Sequence, residues 1–194
     1  MADPQLSLGS NDFELFGIPA RFTQDRAAID ARWKDLQREA HPDRFAGRDA
    51  SVQRAAMQWS VRINEAYQRL KDPLRRAVYL CELGGGAINA ESNTAMPAQF
   101  LMQQMEWRDA LDDAQSVDDI DVLQDQVLAS RRTILDQCAQ SLDVQRDLVR
   151  AVSLVRSLMF IERFSADVDK RCDQLADRAA ESAAACAASS ARSE

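Results

Sequence analysis

The residues that interrupt helices are confined to one end of this chain. All five prolines (Pro4, Pro19, Pro42, Pro73, Pro97) and all six glycines (Gly9, Gly17, Gly47, Gly84, Gly85, Gly86) fall within the first 97 of 194 positions. Glycine and proline are the strongest local punctuation, so the stretch beyond Pro97 reads as long helices with polar connections. The glycine triplet and the mixed sequence through Asn93 and Thr94 read as a linker. The expected division is therefore residues 1–83 (ordered from about 12), a linker at 84–96, a second domain over 97–176, and an Ala-rich tail at 177–194. That tail could extend the final helix, but it buries little and is expected to fray.

Apolar spacing gives helices on both sides of the linker. Ile29, Trp33, Leu36 and Ala40 recur at helical intervals after a candidate cap at Thr23. Val52, Ala56, Trp59, Ile63, Ala66 and Leu70 repeat the pattern, and Pro73 suits the first turn of a short helix ending near Leu83. Beyond the linker, helices are expected near 97–114, 117–139 and 143–176; the last carries one stripe of Leu148, Val152, Val155 and Met159 and a second of Leu154, Leu158 and Ile161. No run alternates as a strand would. The fold class is all-α.

Composition narrows the chemistry. No apolar run approaches the ~18–20 residues of a membrane helix. The first basic residue is Arg21, so no secretory signal is expected. Cys81, Cys138, Cys172 and Cys186 include no C-x-x-C pair, and four ordinary thiols suit a reducing cytoplasm. His41 is the single histidine, which excludes any site built from several imidazoles. Neither a metal nor a cofactor is expected. The net charge of −7 is unevenly shared: residues 1–83 carry +1 and residues 84–194 carry −8. Acids crowd between Asp109 and Asp125, where a solvated helix surface is the plain reading.

Between the first two helices stands His41-Pro42-Asp43. Pro42 fixes its own φ and biases His41 away from helix, so the chain turns there and holds the imidazole and carboxylate on a stiff, exposed loop. The bland alternative is a helix-ending proline beside an incidental polar pair. The surroundings favour a site: Arg26, Arg32, Lys34 and Arg38 precede the loop and Arg44 follows it, while Asn64-Glu65-Ala66-Tyr67 and Asp72-Pro73-Leu74-Arg75-Arg76 close the segment.

These elements, in this order, resemble a J-domain, the DnaJ-type module that docks on a DnaK-type chaperone. Phe13–Pro19 (FELFGIP), His41–Phe45 (HPDRF), Arg76–Leu83 (RAVYLCEL) and Phe100–Arg108 (FLMQQMEWR) narrow the resemblance to the HscB family, J-type co-chaperones of iron–sulfur cluster assembly, over residues 12 to about 176. The resemblance implies an N-terminal J-domain, an antiparallel helical hairpin with short flanking helices, and a C-terminal three-helix bundle. It implies two partners: HscA, a specialised DnaK-type ATPase, and IscU, the cluster scaffold. His41, Pro42, Asp43, Arg26, Arg32, Lys34, Arg38 and Arg44 would address the ATPase. Self-association stays open. The zinc-binding cysteine pairs of eukaryotic members are missing, which points to a bacterial-type member.

The helix after Pro97 has two apolar faces. At ~100° per residue, Trp107 and Leu111 fall within about 20° of Phe100 and form a core stripe. Leu101, Met105 and Met102 lie at roughly 100°, 140° and 200°, with Asp109, Asp113 and Glu106 between roughly 180° and 240°. A helix buried on two sides is the plain alternative. Three acids on the second face oppose it, because buried carboxylates need partners. Adaptable Leu and Met side chains edged by charge suit a partner site. The resemblance assigns Leu101, Met102, Met105, Glu106, Asp109 and Asp113 to scaffold binding and adds Phe160, expected to be exposed. Gln103 stands where relatives commonly carry an acid.

Three other readings compete. In an enzyme, His41 could act as base with Asp43 orienting it, yet no nucleophile is placed beside them. In a helix-turn-helix nucleic-acid binder the basic helix would enter a groove, but the net charge and the acidic second half oppose this. A J-protein for another client would more typically carry Gly/Phe-rich and zinc regions. No nucleic-acid or membrane partner is expected.

Overall fold

A computed structural model describes residues 7–88 and 96–190, with side chains up to 181. Part of the expected linker, 89–95, and the last four residues lie outside that description. Seven α-helices and no strand occur among the described residues: α1 (Asp12–Phe16), α2 (Arg26–Ala40), α3 (Ala50–Lys71), α4 (Pro73–Leu83), α5 (Ala98–Asp113), α6 (Val117–Ala139) and α7 (Leu148–Ser190). The chain forms two compact units, Met1–Ile88 with Cys138–Val152, and Asn89–Gln137 with Ser153–Glu194. The expected division at 84–96 left the α6–α7 connection with the second unit; the compact units group it with the first.

In the first unit, local chemistry sets each helix end. Asn11 and Glu14 form a reciprocal capping box at the start of α1, and Gly17 ends it at φ 64°, a left-handed conformation that favours glycine. Asp25, not Thr23, caps α2 by accepting from the Ala27 N–H at 2.9 Å. Asp72 caps α4 by accepting from the Arg75 N–H at 2.8 Å, with Pro73 in the first turn.

The α2–α3 hairpin closes over α1. Phe13, Leu15 and Phe16 pack with Ile29, Leu36, Ile63, Ala66 and Leu70 as the core, with half-buried Trp33 and Trp59 against it. Val52, expected in this stripe, is exposed. Trp33 donates from Nε1 to Asn64 Oδ1 at 2.9 Å and stacks on Tyr67, fixing the hairpin's register. Asp12 is fully buried, with Oδ1 2.6 Å from Arg62 Nη2 and Oδ2 2.8 Å from Arg69 Nε.

In the second unit α5, α6 and α7 are joined pairwise. Trp107 stacks on Phe164, Ser130 donates to Gln103 Oε1 at 3.4 Å, and Arg131 pairs with Glu162 at 2.8 Å. Phe100, Trp107, Leu111, Ile120, Leu123, Val127, Leu158, Ile161 and Val168 are buried. A reciprocal cap starts α6: Asp119 accepts from the Gln115 and Ser116 N–H groups, and Ser116 Oγ accepts from the Asp119 N–H. The Ser116 hydroxyl, donating to Asp119 Oδ2 at 2.8 Å, and then the two N–H groups hold the Asp119 carboxyl below the usual range. The final helix differs from its expected bounds at both ends. It begins at Leu148 because a π-helical turn, Gln140–Gln145, occupies the connection, and it continues through the Ala-rich segment to Ser190. Alanine's helix propensity favours the helical state through this segment.

Candidate functional site

The first candidate surface is the turn between α2 and α3. Pro42 stops α2, and Pro42–Phe45 form one turn of 3₁₀-helix capped by His41. His41 Nδ1 accepts from the Asp43 N–H at 3.3 Å and lies 3.6 Å from Asp43 Oδ2. With Nδ1 accepting, the neutral ring carries its N–H at Nε2. His41 and Asp43 keep 55% and 89% of their side chains exposed. Arg44 donates back to the Arg38 carbonyl at 3.1 Å, so the tripeptide is presented on a braced turn.

The basic residues of α2 are not equivalent. Arg26, Asp30, Lys34 and Arg38 follow at i+4 and share one row; Arg32, two positions away, lies off it. Arg26 pairs with Asp30 at 2.8 Å, donates to the Lys71 carbonyl and sits over the Tyr67 ring. That hydrogen bond holds the Asp30 carboxyl below its ordinary range and raises Arg26. Arg38 pairs with Asp35 at 2.9 Å. Arg32 and Lys34 have no close ion pair among the described residues; Lys34 is exposed and attracts Asp30 only at longer range.

The second surface is the outward face of α5. Leu101, Met102 and Met105 are exposed by 40%, 64% and 68%, and Glu106, Asp109 and Asp113 are exposed with no ion pair among the described residues. Phe100, Trp107 and Leu111 are buried on the other side. The two-sided wheel thus resolves into one core face and one open face. Phe160 departs from expectation: it is half-buried, edge-on to Phe100 at 5.9 Å and stacked on Phe164 at 5.8 Å. It belongs to an aromatic seam under the face rather than standing free. A cleft of about 400 Å³ reaches from Met102 and Glu106 to Ser130, Thr133 and Gln137 on α6.

The sequence reading singled out neither the buried Asp12–Arg62–Arg69 cluster nor Arg76 as a buried ion. Arg76 donates to the carbonyls of Phe22 and Leu70, at 2.7 and 2.5 Å. Cys81 and Cys138 are buried, which pushes their thiols up to about 11 and about 12. No cluster of metal-binding side chains occurs among the described residues.

A braced H-P-D turn in an antiparallel helical hairpin, followed by a unit of three helices, defines a J-type co-chaperone. Comparison with known proteins narrows the class. The family model for the HSCB C-terminal oligomerisation domain matches residues 96–169. A co-chaperone protein HscB homolog of Burkholderia thailandensis is 45% identical over 173 residues, 88% of this chain and 98% of that protein. The chain therefore belongs to the HscB family of co-chaperones. Chaperone HscB from Vibrio cholerae superposes with a TM-score of 0.73 at 36% identity, covering 86% of this chain and 99% of that one. Human co-chaperone protein HscB gives 0.78 at 26% identity, covering 87% and 83%. Jac1 of Saccharomyces cerevisiae, at 23% identity and a TM-score of 0.66, shares the fold.

Proposed function

We propose that this protein stimulates ATP hydrolysis by a DnaK-type chaperone of the HscA kind and delivers to it an iron–sulfur scaffold of the IscU kind. The observation that carries the reading is the braced turn that holds His41 and Asp43 into solvent at the end of the helix bearing the cationic row. Such a turn needs no catalytic group of its own. It accelerates a partner's reaction by binding the hydrolysing conformation more tightly than the resting one. The cationic row adds a fast, salt-sensitive encounter with an acidic groove. Scaffold binding falls to Leu101, Met102 and Met105, with Glu106, Asp109 and Asp113 as a charged rim and Phe160 supporting them from beneath. A cytoplasmic location belongs to the same reading.

The test is steady-state ATP hydrolysis by the chaperone with wild-type protein or His41→Gln. The expected result is loss of stimulation in the variant, with scaffold affinity within twofold of wild type. Equal stimulation by both proteins would remove the assignment. Self-association is a second use of the open α5 face, favoured by its exposed Leu and Met. Sedimentation at several concentrations reads it directly, and a constant monomer mass would dismiss it.

A further inference from the structure

Phe22 precedes α2 and is held between two ions of opposite sign. Its N–H donates to Asp143 Oδ1 at 2.7 Å, and the neighbouring Thr23 N–H donates to Asp143 Oδ2 at 2.9 Å. The Phe22 carbonyl accepts from Arg76 Nε at 2.7 Å, and the Arg76 guanidinium sits 5.3 Å over the Phe22 ring. Arg76 is 7% exposed; burial pushes its guanidinium down, and the carboxylates of Asp72 and Asp143 push it back up. A charged carboxylate receiving two consecutive backbone N–H groups is a strong, directional clasp.

Asp143 comes from the α6–α7 connection, about 120 residues further along the chain. That connection has an unusual shape. It combines a π-helical turn with Arg146 at φ 54°, the only positive φ outside glycine among the described residues. Rare backbone states persist where surrounding contacts over-determine them, often at functional positions. The first turns of α7, which follow the connection, are seated as well. A Cβ on Gly84 would come within 3.1 Å of Leu148, and one on Gly86 within 2.8 Å of Val152. The glycine triplet, read from sequence as a linker, begins with close packing against the start of α7.

We infer that Asp143 is a positioning residue for the chaperone-facing surface: by clasping Phe22 and Thr23 against Arg76, it fixes the lead-in to α2 and thereby the orientation of its cationic row. Only two residues, Gln24 and the capping Asp25, separate Thr23 from the first residue of α2, so a lead-in free to shift would carry Arg26 with it. A residue of the C-terminal half would thus govern an N-terminal interaction without touching the partner. The inference rests on the ATPase reading above.

The test uses the full chain carrying Asp143→Ala or the isosteric Asp143→Asn, at a temperature where melting curves show each folded. Amide exchange at Phe22 and Thr23, the protein concentration giving half-maximal ATPase stimulation, and scaffold affinity are measured together. For Asp143→Ala the expected results are at least tenfold faster exchange at both amides, a roughly tenfold higher half-maximal concentration, and unchanged scaffold affinity. Asp143→Asn, which keeps one acceptor oxygen, should move the first two quantities about threefold. Faster exchange with an unchanged half-maximal concentration would reduce the clasp to a purely structural role and overturn the inference. Unchanged exchange would overturn it by showing that the clasp does not hold these amides. If wild-type protein fails to stimulate, the ATPase reading falls and this inference falls with it; if only the variants behave as wild type, the inference falls alone.

Discussion

Met102 and Met105 are exposed by 64% and 68%, so the fold and a partner should respond differently to their loss. Burying a whole methionine side chain contributes about 1.5–3 kcal/mol. The fold uses roughly the hidden third, so Met102→Ala with Met105→Ala should destabilise the protein by about 1–2 kcal/mol. In a protein of this size that lowers Tm by a few degrees, on the order of 2–4 °C per kcal/mol. A partner that covers the open two-thirds would lose more, about 2–4 kcal/mol for the pair, or roughly 30–800-fold in affinity. Titration calorimetry against the scaffold reads the affinity, and a thermal melt reads the fold. Phe160 is a poor probe of the same face, because its half-buried ring is packed between Phe100 and Phe164, and truncation would also cost folding free energy, less than the ~3–5 kcal/mol of a fully buried phenylalanine. Scaffold affinity within twofold of wild type in the double variant would refute the assignment of the open face. A fall in Tm beyond about 10 °C would refute the division between open and buried area.

Two further predictions concern buried polar groups. Asp12→Ala leaves Arg62 and Arg69 without their shared carboxylate; since Arg69 keeps 40% of its side chain exposed, the loss should be about 2–3 kcal/mol in urea unfolding, below the 3–5 of a fully buried pair. A change under about 1 kcal/mol would show that water already serves these ions. For Cys81 and Cys138, thiols raised to about 11 and about 12 should resist alkylation at pH 8 in the native protein and react once it is denatured. Because the folded pKa lies above the unfolded one, their stabilising effect is present below about pH 9 and fades as pH climbs toward about 11 for Cys81 and about 12 for Cys138, by ~1.4 kcal/mol per unit for each thiol. Cys138→Ala should flatten that alkaline decline; an unchanged slope would assign it to other groups.

The helices, the H-P-D turn and the two faces of α5 were legible because each writes a local period or breaker into the sequence. Pro42 stops α2, and Phe100, Trp107 and Leu111 separate from Met102 and Met105 by simple rotation around one helix. The cap of α2 was not legible to the residue. Thr23 and Asp25 both offer an acceptor, and what decides between them is where the helix starts: α2 begins at Arg26, directly after Asp25. Buried ions escape notice as well. Asp12 and Arg76 look like surface charges until folding places their partners beside them. Phe160 fell outside both counted stripes of α7, yet rings of this size reach across a seam to Phe100. The π turn has no spacing signal at all, so the start of α7 was placed five residues early.

The central claim is that one chain joins two partners through separate surfaces, and ATP turnover by the chaperone with both present tests it most directly. The rate is compared for the chaperone alone, with scaffold, with this protein, and with both. The account predicts that the rate with both exceeds the sum of the separate stimulations, that His41→Gln removes all stimulation by this protein, and that Met102→Ala with Met105→Ala removes only the excess. Strictly additive rates, with the excess absent from wild type, would contradict it.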